Sequence, residues 1–276
     1  MINSSIIVLV IMGLFSFHTH SQGDHALRFL RSLDEGQKQK VLLEFGDQSR
    51  DRWHYLPGAS WPREGLQLLE MEQAQQELFF DLLRYSLSEA GYGKTRKILE
   101  LEAILSEIEN SPDYRHPGKY FVTFYGNPEK DDPWAWSFEG HHLSLNFTVL
   151  GGTISMAPRF MGANPATIRS GPKKGDRVLA AEEDLAYRLL EELQPSQRRI
   201  AVFRESPFSD ILSRNEPGTA PLEPAGIRMK ELDAGQQEIL SDLIYEYISV
   251  MPETLAVKRM ERLREEDFGE IMFGWA

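Results

Sequence analysis

Apolar residues follow one period in the centre of this chain and another on either side of it. Helical spacing predicts amphipathic helices over residues 78–83, 98–108 and 239–251. Aromatic and β-branched residues alternate with polar ones over residues 120–125, 134–149 and 153–157, and glycine-containing turns separate these runs. Helices on both sides of such strands predict an α+β fold, in which an antiparallel β-meander is flanked by amphipathic helix pairs.

Four predicted helices begin in the same way, with a polar cap residue followed three positions later by glutamine. The pairs are Asp34/Gln37, Glu72/Gln75, Gln194/Gln197 and Asp233/Gln236. In such a capping box the cap side chain accepts from a free backbone N–H, and the glutamine reaches back to the cap. The unequal intervals between these starts favour two helix pairs around an insertion over a regular repeat array.

The segment Trp134–Val149 changes phase near Gly140. Its apolar residues occupy even positions as far as Phe138 and odd positions from Leu143 onwards. Because side chains alternate between the two faces of a strand, one extra residue must be accommodated, and we expect a β-bulge at Glu139–His142 within a single strand. The face away from the core then carries Ser137, Glu139, His142, Ser144, Asn146 and Thr148.

A carboxylate and an imidazole flank this expected bulge on one face. Glu139 and His142 have the parts for general acid–base catalysis. His141 and His142 would together ligate a divalent metal ion if the bulge turns one ring towards the other. A solvated strand face with one histidine in the core is the third interpretation. The residues expected to bind substrate are Trp136, Asn146, Arg159 and Asn164.

Composition narrows the classes of partner. The chain of 276 residues has a net charge of -12, and its basic residues form no block longer than pairs such as Lys173–Lys174, which disfavours nucleic acid. It has no cysteine, and this excludes disulfides, thiolate metal sites and a cysteine nucleophile. A small-molecule ligand or substrate is the expected partner.

The amino-terminal residues resemble an export signal. Ile6–Phe17 is an apolar run of the length found in secretory signals, shorter than the roughly 20 residues of a membrane span. Small residues at Thr19 and Ser21 suit a signal peptidase. Residues 1–21 are therefore predicted to be a signal peptide, followed by a single α+β domain over residues 22–276. The mature protein is expected in the periplasm or outside the cell, without a stable membrane anchor.

Several stretches together resemble the uncharacterised family called domain of unknown function 3500. They are LSEAGYGKTRKILELEAIL, YFVTFYGNP, WAWSFEGHHLSLNFTV, FMGANPA and FGWA. The family has no established activity to transfer, but the resemblance implies an exported protein and a chain truncated at its carboxyl end. It also implies that one site is formed by Glu139, His141, His142, Asn146, Arg159 and Asn164.

Two functions are compatible with these features. In the first, an exported metal-assisted hydrolase uses Glu139 and His142 in catalysis, with Arg159 holding an anionic group of the substrate. In the second, a non-catalytic extracytoplasmic protein binds a small ligand between the same polar face and Trp136. The metal content of the purified protein would distinguish these two functions.

Overall fold

The computed structural model describes residues 21–212, 215–216 and 223–276. The predicted signal run Ile6–Phe17 lies outside the described residues. The helices are α1 Gln22–Ser32, α2 Glu35–Val41, α3 Gln73–Ser86, α4 Glu89–Glu109, α5 Ala180–Glu192, α6 Pro195–Ala201, α7 Ala234–Ile248 and α8 Glu253–Glu265. The strands are β1 Leu42–Leu43, β2 Leu66–Gln67, β3 Phe121–Tyr125, β4 Trp134–Gly140, β5 Leu143–Leu150, β6 Thr153–Met161, β7 Ile227–Arg228 and β8 Met272–Phe273.

The α+β fold is confirmed. Strands β3 to β6 form an antiparallel meander in chain order, and β1 and β2 add to the outer edge of β3, β1 in parallel and β2 antiparallel. Strands β7 and β8 make a second, two-stranded sheet. In the described part of the chain, no helix has both the length and the hydrophobicity needed to cross a bilayer.

All four predicted capping boxes are present, at the starts of α2, α3, α6 and α7. The cap glutamines of each helix pair also bond to each other. Gln37 donates to Gln75 at 3.0 Å, and Gln197 donates to Gln236 at 2.9 Å. Each glutamine therefore caps its own helix and ties it to the partner helix, which explains why the pattern occurs in pairs.

The expected bulge at Glu139–His142 is wrong, because Trp134–Val149 forms two strands instead of one. Strands β4 and β5 pair without interruption as far as Gly140↔Leu143, and His141 and His142 are the turn of a tight hairpin. With a two-residue turn, even positions of one strand face odd positions of the next, as in Phe138↔Leu145. The phase change is thus the hairpin itself. An irregularity does occur one strand later, where the β5–β6 register shifts between Leu145 and Phe147.

The core-facing side of the meander packs against α3. Phe79 of α3 lies edge-on to Trp136 and 4.8 Å from the ring of Phe138, and Trp136 stacks on Phe147 at 4.1 Å. A second cluster of buried apolar residues lies around α5 and α7. That residues 22–276 form a single domain stays a prediction.

Candidate functional site

Glu139 lies on the polar face of the sheet, in a pocket covered by the segment before β2. Ser144 donates a 2.6 Å hydrogen bond to Glu139, and Nε of Arg63 lies 3.4 Å from the other carboxylate oxygen. Burial raises the pKa of Glu139, although Ser144 and Arg63 act in the opposite direction. The adjacent cavity of about 20 Å³ has room for roughly one water molecule. This carboxylate is therefore enclosed.

Asn146 belongs to the same enclosed network. Its amide nitrogen donates to Ser144 at 2.9 Å and to the carbonyl of Pro158 at 3.1 Å. Pro158 lies in the part of β6 where the register shifts, so Asn146 closes a gap in the ladder. Both N–H groups of the amide already have partners within the protein.

His142 is the second turn residue and adopts φ +56, a conformation that favours glycine or asparagine. Two backbone hydrogen bonds of 2.8 Å hold it there, from its N–H to Tyr55 and to its carbonyl from Gly162. A Cβ at Gly162 would lie 2.6 Å from the imidazole, so only glycine leaves space for the ring. Burial, with help from His141 and Arg115, lowers the pKa of His142 to about 4. The ring is neutral at physiological pH.

His141, the first turn residue, points to the other side and forms a buried pair with Glu102 of α4. Its Nδ1 contacts a carboxylate oxygen of Glu102, and both side chains are nearly inaccessible to solvent. An ionised carboxylate only accepts, so this contact fixes the imidazole tautomer with the proton on Nδ1. The second ring nitrogen, Nε2, then carries the lone pair.

Two further side chains hold this pair. The hydroxyl of Tyr120 donates a 2.9 Å hydrogen bond to the carbonyl of His141. Gly140 allows this contact, because a Cβ there would lie 2.3 Å from the Tyr120 ring. Arg115 places Nη1 3.2 Å from Nδ1 and 3.4 Å from Nε2 of His141. Burial opposes its charge, but the carboxylates of Glu109 and Glu102 raise the pKa of Arg115.

The His141–Glu102 pair lies in the wall of a cavity of about 250 Å³. Most of the other lining side chains are polar or small, and Phe121 at the start of β3 adds an aromatic ring. The cavity is lined by Pro57, Gly58, Ala59, Gln67, Glu102, Tyr114, Lys119, Tyr120, Phe121 and His141. Its volume suits a small molecule, and Lys119, whose ammonium donates to the carbonyl of Asp113, adds a cation to the lining.

The structure separates the other predicted site residues. Trp136 is buried in the core on the face opposite Glu139. Arg159 lines a different cavity of about 310 Å³ and donates to the carbonyl of Tyr247. Asn164 is half-buried before a cis peptide bond to Pro165. Within the described residues, no hydrogen bond joins Glu139 to His142, whose imidazole has no hydrogen-bond partner there.

A metal site at the turn stays a prediction. The rings of His141 and His142 lie 4.2 Å apart, centre to centre, at an angle of 71°. Across the described ranges, no three side chains of His, Asp or Glu are grouped so that they could hold a metal ion.

A family model described as a protein of unknown function, DUF3500, matches residues 18–276. The chain belongs to this family. No curated protein and no solved structure matches the chain.

Sequence reasoning about this DUF3500 chain missed Glu102, which lies on the apolar stripe of α4. Ile98, Glu102 and Leu105 share one helix face at four- and three-residue spacing, and all three are buried. A carboxylate in such a stripe needs a buried partner, and that was the available signal. Arg63 gave no signal, because the segment that carries it has no periodic pattern.

Proposed function

We propose that this protein is an exported hydrolase in which His141, oriented by Glu102, acts as the general base. The observation that carries the proposal is the buried His141–Glu102 pair in the wall of a cavity large enough for a small substrate. A carboxylate bound to one imidazole nitrogen fixes the tautomer and raises the basicity of the other nitrogen. Glu139, which lies beside a cavity of about 20 Å³, has too little room for this role.

The reaction that fits these groups is hydrolysis of a small ester. Substrate binding displaces Nη1 of Arg115, which lies 3.4 Å from Nε2 of His141, and Nε2 then takes a proton from water as the water oxygen bonds to the acyl carbon. Lys119, which lines the cavity, stabilises the negative charge that develops on the carbonyl oxygen. The bond to the alkoxide then breaks and the imidazolium returns the proton to it, so that the products are a carboxylic acid and an alcohol.

The substrate class follows from the charges around the cavity. Lys119 lines the cavity with a neutral partner, the carbonyl of Asp113, whereas Arg115 is paired with Glu109 and the carboxylate of Glu102 is bonded to His141. A small ester that also carries an anionic group fits this balance better than a cationic one. Binding of such a molecule without turnover would instead support the alternative of a non-catalytic binding protein.

Turnover of p-nitrophenyl acetate and p-nitrophenyl succinate tests the proposal. We expect His141→Gln to lower kcat/KM by about 100-fold or more, the usual contribution of a general base. His25→Gln is the matched control, since His25 lies on α1 and stacks on Tyr85. Equal activity of the two variants would contradict the proposal. Metal analysis and chelator treatment of the same wild-type sample test the predicted metal separately.

We also propose export, with the mature chain beginning near Gln22. In support, Ile6–Phe17 has the length of a secretory signal core, and Thr19 and Ser21 suit a signal peptidase. Mass spectrometry of the protein from the extracytoplasmic fraction should give an amino terminus near Gln22. A protein that keeps Met1 and stays in the cytoplasm would contradict this.

A further inference from the structure

A second cavity, of about 310 Å³, lies between the end of β6, the start of α5 and the end of α7. It shares no lining residue with the cavity at His141. Its charged side chains are Arg159 and Glu182, and its flexible apolar side chains are Met161, Leu179, Ile211 and Val250. A cavity of this size, mostly apolar and with a few polar groups, has the composition of a small-molecule site.

Arg159 contributes a partly buried cation to this cavity. Its Nη2 donates to the carbonyl of Tyr247 in the last turn of α7, and this bond holds the guanidinium in place. Its Nη1 is shielded from solvent and has no hydrogen-bond partner within the described residues. Burial lowers the pKa of Arg159, and no charged side chain in the described ranges offsets this effect. Because buried cations are usually paired, this guanidinium is suited to an anionic group of a ligand.

Glu182, in the first turn of α5, contributes the opposite charge. Its Oε1 accepts a 2.6 Å hydrogen bond from Nζ of Lys94, whereas its Oε2 is shielded from solvent and has no partner in the part of the chain that the structure describes. Lys94 also donates to Glu246, so two carboxylates share one cation. Burial opposes the charge of Lys94, but both carboxylates raise its pKa. The group of Lys94, Glu182 and Glu246 therefore has one negative charge in excess.

Arg159 and Glu182 both lie near Tyr247. The carbonyl of Tyr247 accepts from Arg159, and burial, followed by the charge of Glu182, raises the pKa of its phenol. Arg159 has no ion pair with a described carboxylate, so Glu182 does not neutralise it. The formal charges of Arg159, Lys94, Glu182 and Glu246 cancel. A ligand that carries both charges keeps this balance, whereas a simple anion or cation leaves one buried charge uncompensated.

We propose that this cavity binds a zwitterionic α-amino acid with an apolar side chain. Arg159 donates to the carboxylate of the ligand, and Oε2 of Glu182 accepts from its ammonium group. Ile211 and Val250 contact its apolar side chain. Because Nη1 of Arg159 and Oε2 of Glu182 are shielded from solvent, rotation of these two side-chain ends accompanies binding. The site is independent of the proposed hydrolase activity.

Three ligands with the same branched carbon chain test this proposal on the intact protein by calorimetric titration. They are L-leucine, 4-methylpentanoate, which lacks the ammonium group, and 3-methylbutylamine, which lacks the carboxylate. We expect leucine to bind, and each of the other two to bind about tenfold or more weakly. Absence of leucine binding would overturn the proposal. Equal affinity for 4-methylpentanoate would also overturn it, since the site would then recognise carboxylic acids alone.

Glu182→Gln tests the contact with the ammonium group. The preference for leucine over 4-methylpentanoate should fall to within about threefold, and this ratio of affinities does not depend on the fraction of the variant that is folded. The matched control is Glu183→Gln, at the neighbouring exposed carboxylate of α5, which pairs with Arg177. It should keep the preference of wild type. The same loss of preference in both variants would contradict the role of Glu182.

Two further variants locate the ligand. Arg159→Gln should weaken leucine binding by about tenfold or more and change the affinity for 3-methylbutylamine by less than about threefold. His141→Gln should leave leucine binding unchanged, because His141 lines the other cavity. Loss of leucine binding in His141→Gln with retention in Arg159→Gln would place the ligand in the cavity of the proposed hydrolase site and overturn this inference.

Discussion

Glu102 and Glu139 are two buried carboxylates on opposite sides of one hairpin turn, and their surroundings differ in one decisive respect. Glu139 accepts a hydrogen bond from Ser144 and forms an ion pair with Arg63 beside a cavity of about 20 Å³. Glu102 bonds His141 in the wall of a cavity of about 250 Å³. Both carboxylates are buried and have a polar side-chain partner, so the space for a substrate separates a structural pair from a candidate catalytic one.

The largest expected effect on stability is that of Arg63→Met, which tests whether the Glu139 pair is structural. It leaves the buried Glu139 without its cation and removes donors to the carbonyls of Trp61, His54 and Leu56. Loss of one partner of a buried pair typically costs about 3–5 kcal/mol. We expect a decrease of that size in the free energy of unfolding, measured by urea denaturation.

The matched control for this variant is Arg31→Met, at an exposed ion pair with Glu129. It should change the free energy of unfolding by less than about 1 kcal/mol. Similar losses for the two variants would show that the Glu139 pocket is not a stabilising element.

The next largest effect is on the pH dependence of stability, and it arises from the pKa of His142 in the turn between the two carboxylates. This pKa is about 4 in the folded protein and 6.5 in the unfolded chain. Between these values the unfolded chain binds more protons, so stability falls as the pH is lowered from 6.5 to 4. A difference of this size corresponds to at most about 3 kcal/mol.

His142→Asn isolates this contribution, because asparagine tolerates positive φ and does not titrate. Between pH 6.5 and pH 4, the free energy of unfolding of wild type should decrease by up to about 3 kcal/mol more than that of the variant. Urea denaturation at several pH values measures it. A difference between wild type and variant that does not change with pH would mean that His142 is not buried as a neutral ring.

Local sequence patterns predicted much of this fold. The features that they missed depend on contacts between residues far apart in the sequence. The capping boxes at Gln37 and Gln236 could be predicted because the interacting residues of each box lie within four positions of the chain. The hairpin could not be predicted in this way. Its turn position with positive φ is occupied by His142, whereas glycine or asparagine there would have indicated a turn. The backbone of Tyr55 and Gly162 stabilises this conformation, and both residues are far away in sequence.

The site was predicted in part, for the same reason. The polar face with Glu139, Ser144 and Asn146 follows from strand alternation and is present. The pairing of His141 with Glu102 joins residues 39 positions apart, on a strand end and a helix, and no periodic pattern reports such a contact. Cavity volume, the property that separates the two carboxylates, has no local sequence signal.

One substitution applied to both carboxylates tests the central claim most directly. Glu102→Gln and Glu139→Gln are compared by kcat/KM for p-nitrophenyl acetate, corrected for the folded fraction from urea denaturation. Glu102→Gln should lower kcat/KM by about 100-fold, because the amide no longer fixes the basic tautomer of His141. Glu139→Gln should leave it within about twofold of wild type and lower only the free energy of unfolding, by about 1–3 kcal/mol. The reverse pattern, with turnover lost in Glu139→Gln and kept in Glu102→Gln, would contradict the account.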